Sequence, residues 1–500
     1  MAVDQPAAQP AKSATGEIAT FKMVIGGQSV DASDGQTFEV VNPADGQVIA
    51  TAPLGGKADV DKAVAAAQKA FEDPKGWSNW AAGKRGRMLA KYAEVVKDHL
   101  DELSWLETRS IGKPISSSKG EITGVSLVFD YYAGAANKIF GQTIPVTAQP
   151  SIDLTLREPI GVVGLIVPWN FPAYMASWKL GPALAAGNTC ILKPASYSPL
   201  TAIRLGELAL EAGIPAGVVN VITGPGGTAG AALAGHMGVG KVAFTGETTT
   251  GQEIMRLASN NVKKVSLELG GKSPNVVFAD ADLERFAAES PYSVFDNCGQ
   301  DCCARSRILV ERSAHEKVVE LFVEATKKVK VGDPADPATE VGTLVSFRHR
   351  EKVAGYVDAG LAEGAKLMVG GKAPTDPALS KGAYLMPAVF DAVTNEMKIA
   401  REEVFGPVVS VIPFDTEAEA IAMANATPYG LSGSVWSRDI GKALRTAKGI
   451  QSGVLSVNSN SSVHREAPFG GYKMSGIGRE LGMSAIELYT EVKNIFIDLK

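Results

Sequence analysis

Four cysteines occur in the chain, and three of them, Cys298, Cys302 and Cys303, fall within six residues. That spacing is too tight to staple distant parts of a fold. No His or Cys partners stand beside it at a zinc-binding spacing either. What remains is thiol chemistry, in which an ionised cysteine, accessible near neutral pH, attacks a carbonyl carbon. Such an attack leaves a negative oxygen that needs hydrogen-bond donors, and breaking the resulting thioester needs a base to activate water. Two polar residues lie in runs suited to those tasks: Asn170 in PWNFP, 168–172, and Glu268 in LELGGK, 267–272. The apolar and glycine neighbours of Glu268 suit a carboxylate in a mostly dry site, and the two glycines would permit close approach by a cofactor. Taken alone, Asn170 would cap a turn before Phe171-Pro172, and a lone Glu is usually a solvated surface residue. Cys190 and Cys298 read as buried, inert thiols.

These residues need elements to hold them. Residues 161–167 form a continuous apolar run, as expected for a strand buried on both faces. Runs at 189–192, 218–222 and 241–244 repeat it, with helical periodicity at 202–212 and 228–234 between them. Short strands alternating with helices imply a parallel sheet with right-handed crossovers. This is a dinucleotide-binding type of domain without the usual glycine fingerprint. A second α/β series begins near residue 271: NVVFAD, a helix over 283–295, SRILVER, a helix over 314–329, then strands at 408–414, 433–437 and 454–458. Ahead of both lie strands in FKMVIGG and TFEVVNPADGQVIATAPL and helices at 59–70, 84–99 and 100–109. The closing AIELYTEVKNIFIDL reads as an amphipathic strand able to add to a partner's sheet.

At 500 residues the chain is too long for one ordinary core. With 45% hydrophobic and 21% charged residues it has the composition of a soluble globular protein. A net charge of −5 gives no global attraction to nucleic acid or anionic membrane. No stretch approaches the roughly 18–20 consecutive apolar residues of a membrane span. The first twenty residues lack a signal-peptide pattern and read as a loose extension. Together with the cysteine usage this points to a cytoplasmic protein.

PWNFP, LELGGK, GQDCCARSR (299–307) and EEVFGP (402–407) occur in the order and at the spacings of the aldehyde dehydrogenase superfamily, which the chain resembles from VNPADG at 41–46 to PFGGYKMSGIGRELG at 468–482. The resemblance implies an α/β fold with a Rossmann-type cofactor domain (21–140 and 160–270), a catalytic domain (271–470) and a small β oligomerisation arm (141–159 and 483–500) after the 1–20 extension. It implies oxidation of an aldehyde to its acid with NAD or NADP, and a homodimer or homotetramer. Cys302 is then the nucleophile, with Asn170 and the Cys302 backbone N–H as oxyanion donors. Glu268 is the base, and Lys179 and Glu480 form a proton-exit relay behind it. Family members that pass the acyl group to coenzyme A typically lack this carboxylate, so Glu268 implies hydrolysis. Ile166, Trp169, Lys193, Ser196, Gly226, Gly246, Glu247, Leu269, Glu403 and Phe405 match cofactor positions. Phe171, Tyr174, Met175, Trp178, Asp296, Asp301, Ser461 and Val463 match the substrate tunnel. No metal is implied.

Two departures carry consequences. Ser196 stands where NAD-specific members often have Glu, a carboxylate that would repel a 2′ phosphate, so dual coenzyme use is expected. Glu247 stands where the phosphate-binding turn usually has Ser, and is expected to turn to solvent or cap the following helix. Asp296 and Asp301 either recognise an amine or hydroxylated aldehyde or form internal ion pairs with Arg305 or Arg307. Two rival functions are a thiol hydrolase and a non-catalytic binding protein. The first needs a His base for Cys302, and none of His99, His236, His315, His349 and His464 shows a pairing motif. The second would have lost Cys302, Glu268 or Asn170.

Overall fold

The computed structural model describes residues 18–461 and 463–500. Most of the expected N-terminal extension lies outside these residues. Its last part is structured, since Ala19–Thr20 pairs in parallel with Ala50–Thr51.

Two α/β bodies meet edge-on at the site. The first is built on an eight-stranded sheet in the order Gly476–Ile477, Lys264–Glu268, Lys241–Thr245, Val162–Ile166, Thr189–Lys193, Val219–Val221, Met23–Ile25, Gln28–Val30. Its five central strands are parallel and its outer pairings antiparallel. From Val162–Ile166 the chain winds first toward Val219–Val221, then returns to lay down Lys241–Thr245 on the other side. That reversal is the switch point at which open α/β sheets bind ligands. The second body has a seven-stranded sheet in the order Lys366–Val369, Ala388–Asp391, Val408–Phe414, Arg307–Glu311, Pro274–Val277, Ser432–Trp436, Val454–Val457. All neighbours are parallel except the first pair. The chain crosses between the bodies at 269–273 and returns over 458–475, so the carboxyl ends of the first sheet face the amino ends of the second.

A third sheet joins Thr490–Asp498 to Ser151–Pro159 and that strand to Thr143–Ile144. The closing segment thus pairs within its own chain, and it enters through a short helix, Ser484–Glu487, rather than as one long strand.

Three long helices escaped the periodicity. Ile115–Ala135 and Pro172–Ala186 are apolar around much of their circumference because each is enclosed on several sides, so no single stripe marks them. Phe347–Ala362 starts at Ser346, whose hydroxyl accepts from the His349 N–H as an N-cap. The expected helix over 283–295 is divided into Leu283–Glu289 and Tyr292–Phe295 at Pro291, which has no N–H to continue the first piece. The expected helix at 228–234 begins earlier, as a wide turn at Gly226–Gly230 leading into Ala231–Gly235.

Candidate active site

Cys302 sits on the approach to Arg307–Glu311, after a stretch in which Asn297, Cys298 and Gly299 all take positive φ (48°, 58° and 71°). The first two are strained for non-glycine residues, and buried hydrogen bonds hold them. Asn297 Nδ2 donates to the Asn170 carbonyl at 2.9 Å. Gln300, fully buried, donates from Nε2 to the Asn297 and Thr343 carbonyls and accepts at Oε1 from the Val345 N–H. At Gly299 a Cβ would lie 2.3 Å from the backbone of Gly406, so this position admits only glycine.

The two glycines of LELGGK are places of close backbone approach within the protein, and Gly270 also lines the cavity of the site. A Cβ on Gly270 would meet the Glu403 carboxylate at 2.2 Å, and one on Gly271 the Cys302 carbonyl at 2.3 Å. They bring the nucleophile loop and Glu403 against the crossover peptide, where the Gly271 N–H donates to Glu403 Oε1 at 3.0 Å. Glu268, the last residue of its strand, therefore stands close to Cys302 in sequence-distant but adjoining backbone.

Asn170 does not cap the helix Pro172–Ala186; Phe171 occupies that position. One amide hydrogen of Asn170 goes to the Gln300 carbonyl at 2.9 Å, and the amide has a second to give. Its own carbonyl also accepts from Lys113 Nζ at 2.8 Å. Lys113 in turn pairs with buried Glu121, whose carboxyl burial pushes up to about 8.

These groups open on one cavity of about 720 Å³, lined among others by Trp169, Asn170, Phe171, Tyr174, Met175, Trp178, Gly246, Glu247, Glu268, Leu269, Asp296, Asp301, Cys302, Glu403, Phe405 and Val463. Ser461 is exposed and is not among the lining residues. Ile166, Lys193, Ser196 and Gly226 lie beyond the cavity, on the first sheet's carboxyl end and the adjoining turn. Three lining residues gave no signal in the sequence beyond a cryptic helix start: His349, Lys352 and Tyr356. His349 Nε2 donates to the carbonyl of Phe405, itself at φ 56°, at 2.7 Å, and its ring lies edge-on to Trp169.

The electrostatics correct one expectation. A hydrogen bond with Cys303, burial, and the negative charges of Asp301 and Glu403 all push the Cys302 thiol well above the ordinary cysteine value. The surroundings thus oppose ionisation of the thiol rather than assist it. Burial and the Glu480 charge raise Glu268 likewise, and its Oε2 has no partner. Burial pushes Cys190 and Cys298 up, and all four cysteines are free. Lys179, fully buried, pairs with Glu480 and donates to Thr245 Oγ1 at 2.6 Å.

The expected ion pairs of Asp296 and Asp301 do not form among the described residues. Arg305 binds Ser434 Oγ and the Cys303 carbonyl, and Arg307 binds the carbonyls of Lys272, Met423 and Ala424. Asp301 Oδ1 instead accepts from the Cys303 N–H, and the Cys302 thiol also bonds this carboxylate, while Asp296 Oδ1 accepts from the Asn297 N–H. Glu247 is exposed at the N-cap of Thr248–Ala258 and makes no capping hydrogen bond.

A dinucleotide fits the residues present. Lys193 Nζ is buried and, among the described residues, bonded only to the Pro194 carbonyl, which leaves ammonium hydrogens for ribose hydroxyls. A Cβ on Gly226 or Gly227 would meet nothing within 4 Å, so open space adjoins the start of this turn.

A thiol, a carboxylate and an amide converging between a nucleotide-type sheet and a second α/β body define a thiol-dependent oxidoreductase. The model of the aldehyde dehydrogenase family matches residues 30–495. Betaine aldehyde dehydrogenase of Bacillus subtilis is 45% identical over 478 residues, covering 96% of this chain and 97% of that one. Human retinal dehydrogenase 2 is 44% identical over 485 residues, covering 97% and 93%. The crystal structure of Staphylococcus aureus betaine aldehyde dehydrogenase in complex with NAD+ superposes with a TM-score of 0.93 at 41% identity, covering 95% and 94%. That of an NAD-dependent aldehyde dehydrogenase from Sinorhizobium meliloti gives 0.94 at 43%, covering 96% and 95%. The chain belongs to the aldehyde dehydrogenase family and is an enzyme that oxidises an aldehyde to the carboxylic acid. No helix among the described residues is long and apolar enough to cross a membrane.

Proposed function

We propose that this enzyme oxidises a polar, preferentially cationic aldehyde through Cys302, using NAD and tolerating NADP. The observation that carries the reading is the convergence of Cys302, Asn170 and Glu268 on one cavity. Cys302 Sγ forms a bond to the carbonyl carbon, and the Glu268 carboxylate offers its proton a place to go. The charge on the carbonyl oxygen is met by the free amide hydrogen of Asn170 and the Cys302 N–H. Bound coenzyme supplies the acceptor for the hydride lost from that carbon. Glu268 then takes a proton from water attacking the thioester, the carbon–sulfur bond breaks, and the acid leaves. Lys179 and Glu480 carry the proton away from Glu268.

In this reading Lys193, with Ile166, Trp169, Ser196 and Gly226, holds the adenosine half. Gly246 and Glu247 lie by the pyrophosphate, and Leu269, Glu403 and Phe405 by the nicotinamide half. The body of the first sheet is the coenzyme domain and the second the catalytic domain. Ser196, whose hydroxyl lies 3.3 Å from the Gly224 carbonyl, places no anion against a 2′ phosphate. Asp296 and Asp301, which form no ion pair among the described residues and line the cavity with Phe171, Tyr174 and Trp178, suit a cation faced by carboxylates and ring faces; the likeness to betaine aldehyde dehydrogenases agrees with this. We also assign the enzyme to the cytoplasm and its three-stranded arm to a homodimer or homotetramer.

Absorbance at 340 nm with NAD and with NADP, across neutral and cationic aldehydes of equal length, tests the reading. We expect reduction with both coenzymes, higher kcat/KM for the cation, and none in Cys302→Ala. Indifference to charge sinks the substrate assignment, absolute NAD selectivity the coenzyme assignment, and activity in the variant the nucleophile.

A further inference from the structure

Lys241, on the same strand as Thr245 and four residues before it, is buried to 1% and has no part in the steps above. Strand alternation puts Lys241, Ala243 and Thr245 on one face. The register, with Lys241 opposite Lys264, Ala243 opposite Ser266 and Thr245 opposite Glu268, puts Ser266 and Glu268 on that face too. The face is covered by Lys179 from the helix above and by Glu480 and Tyr489 from the closing segment. Lys241 Nζ donates to Ser266 Oγ at 2.9 Å and lies 5.0 Å from the Tyr489 ring centre. Glu268 Oε2, Glu480 Oε2 and Tyr489 Oη are buried with no hydrogen-bond partner among the described residues. At the far end Lys264 donates to the Thr490 carbonyl at 3.0 Å and pairs with Glu491 at 2.8 Å, with its side chain 41% exposed. A file of polar groups thus runs beneath an apolar helix from the catalytic carboxylate to the surface.

We propose that Lys241 is the terminal proton acceptor of this file, a positioning residue that acts on the reaction through Glu480 and Glu268. The inference rests on Glu268 being the base. Glu268 takes the proton of the attacking water and passes it to the Glu480 carboxylate. Glu480 returns it to the neutral amine of Lys241, which becomes ammonium and yields it to solvent at the Lys264–Glu491 end. Burial brings the Lys241 ammonium down to about 7, with the Glu480 charge opposing and the Lys179 and Lys264 charges assisting. Both forms are therefore populated at neutral pH.

The test needs no coenzyme. Pulse the enzyme with p-nitrophenyl acetate and follow decay of the acetyl-enzyme by intact mass across neutral pH. Compare wild type, Lys241→Met, Lys241→Arg, Ser266→Ala and Glu268→Gln, each normalised to its own acylation rate. Lys241→Met and Lys241→Arg should both slow decay at least about tenfold, because a guanidinium keeps its proton. Ser266→Ala, the gentlest change, should move the pH midpoint of decay. Wild-type decay in Lys241→Arg makes Lys241 a fixed charge only and overturns the proposal. So does an unaltered profile in Ser266→Ala, which decides the matter if the Lys241 variants do not fold. Wild-type decay in Glu268→Gln overturns the base assignment and the path with it. Slow decay in Glu268→Gln beside normal Lys241 variants overturns the path alone.

Discussion

At Cys302 the protein surrounds a nucleophile with groups that oppose its ionisation: Cys303, Asp301 and Glu403. Alkylation of the coenzyme-free enzyme by iodoacetamide, localised by peptide mass mapping, should keep rising with pH beyond about 8.5, the value of a free thiol. A plateau below that pH contradicts the geometry. Burial holds Glu403 up at about 7. Its carboxylate form is then lost as pH falls through that value, so coenzyme affinity, read by Trp169 fluorescence, should weaken below neutrality in wild type and lose that dependence in Glu403→Gln. Residue types and order singled out Cys302, Glu268 and Asn170, which the fold brings to one cavity. They could not show what the neighbours of Cys302 do to its proton, since Glu403 arrives from about a hundred residues away. Nor could they show His349, which meets Phe405 only through the fold.

The elements of the site are held by close backbone approach more than by side-chain contact. Gly271→Ala places a methyl against the Cys302 carbonyl. The loop must yield by a large part of an ångström, and kcat should fall roughly 100-fold with the circular dichroism spectrum retained. Normal turnover would mean that the loop relaxes freely. Gln300→Ala removes three buried hydrogen bonds of the same loop and should cost roughly 3 kcal/mol, read as a lower denaturation midpoint. Most parallel strands of both sheets were legible because strands buried on both faces are continuous apolar runs, but Lys264–Glu268, which carries Lys, Ser and Glu, and the four-residue Ala388–Asp391 were not. Pro172–Ala186 was not, because a helix enclosed on all sides has no polar stripe to set its period. The glycine pair 270–271 was recognised as a place of close approach, but Glu403 and Cys302 as neighbours there come into view only through the fold.

On the scale of the whole molecule the arm leaves Ile152, Leu156, Val492 and Phe496 exposed at 39–57% alongside Ile497. A three-stranded ribbon with so much uncovered apolar surface suits the association proposed for it. Light scattering after chromatography should give a dimer or tetramer, and Val492→Glu with Phe496→Glu should shift it toward smaller species. The arm's strand pairing was foreseen only as pairing with a partner, because an amphipathic strand does not say whose edge it will meet. A last consequence belongs to the crossover at 269–273. Those five residues are the short tie between the two bodies, and the base is anchored immediately before it and the nucleophile loop lies against it. Any relative rocking of the bodies therefore acts on the gap between sulfur and carboxylate as a caliper acts on its jaws. Lengthening this tie would alter the stroke and the bite of that caliper together.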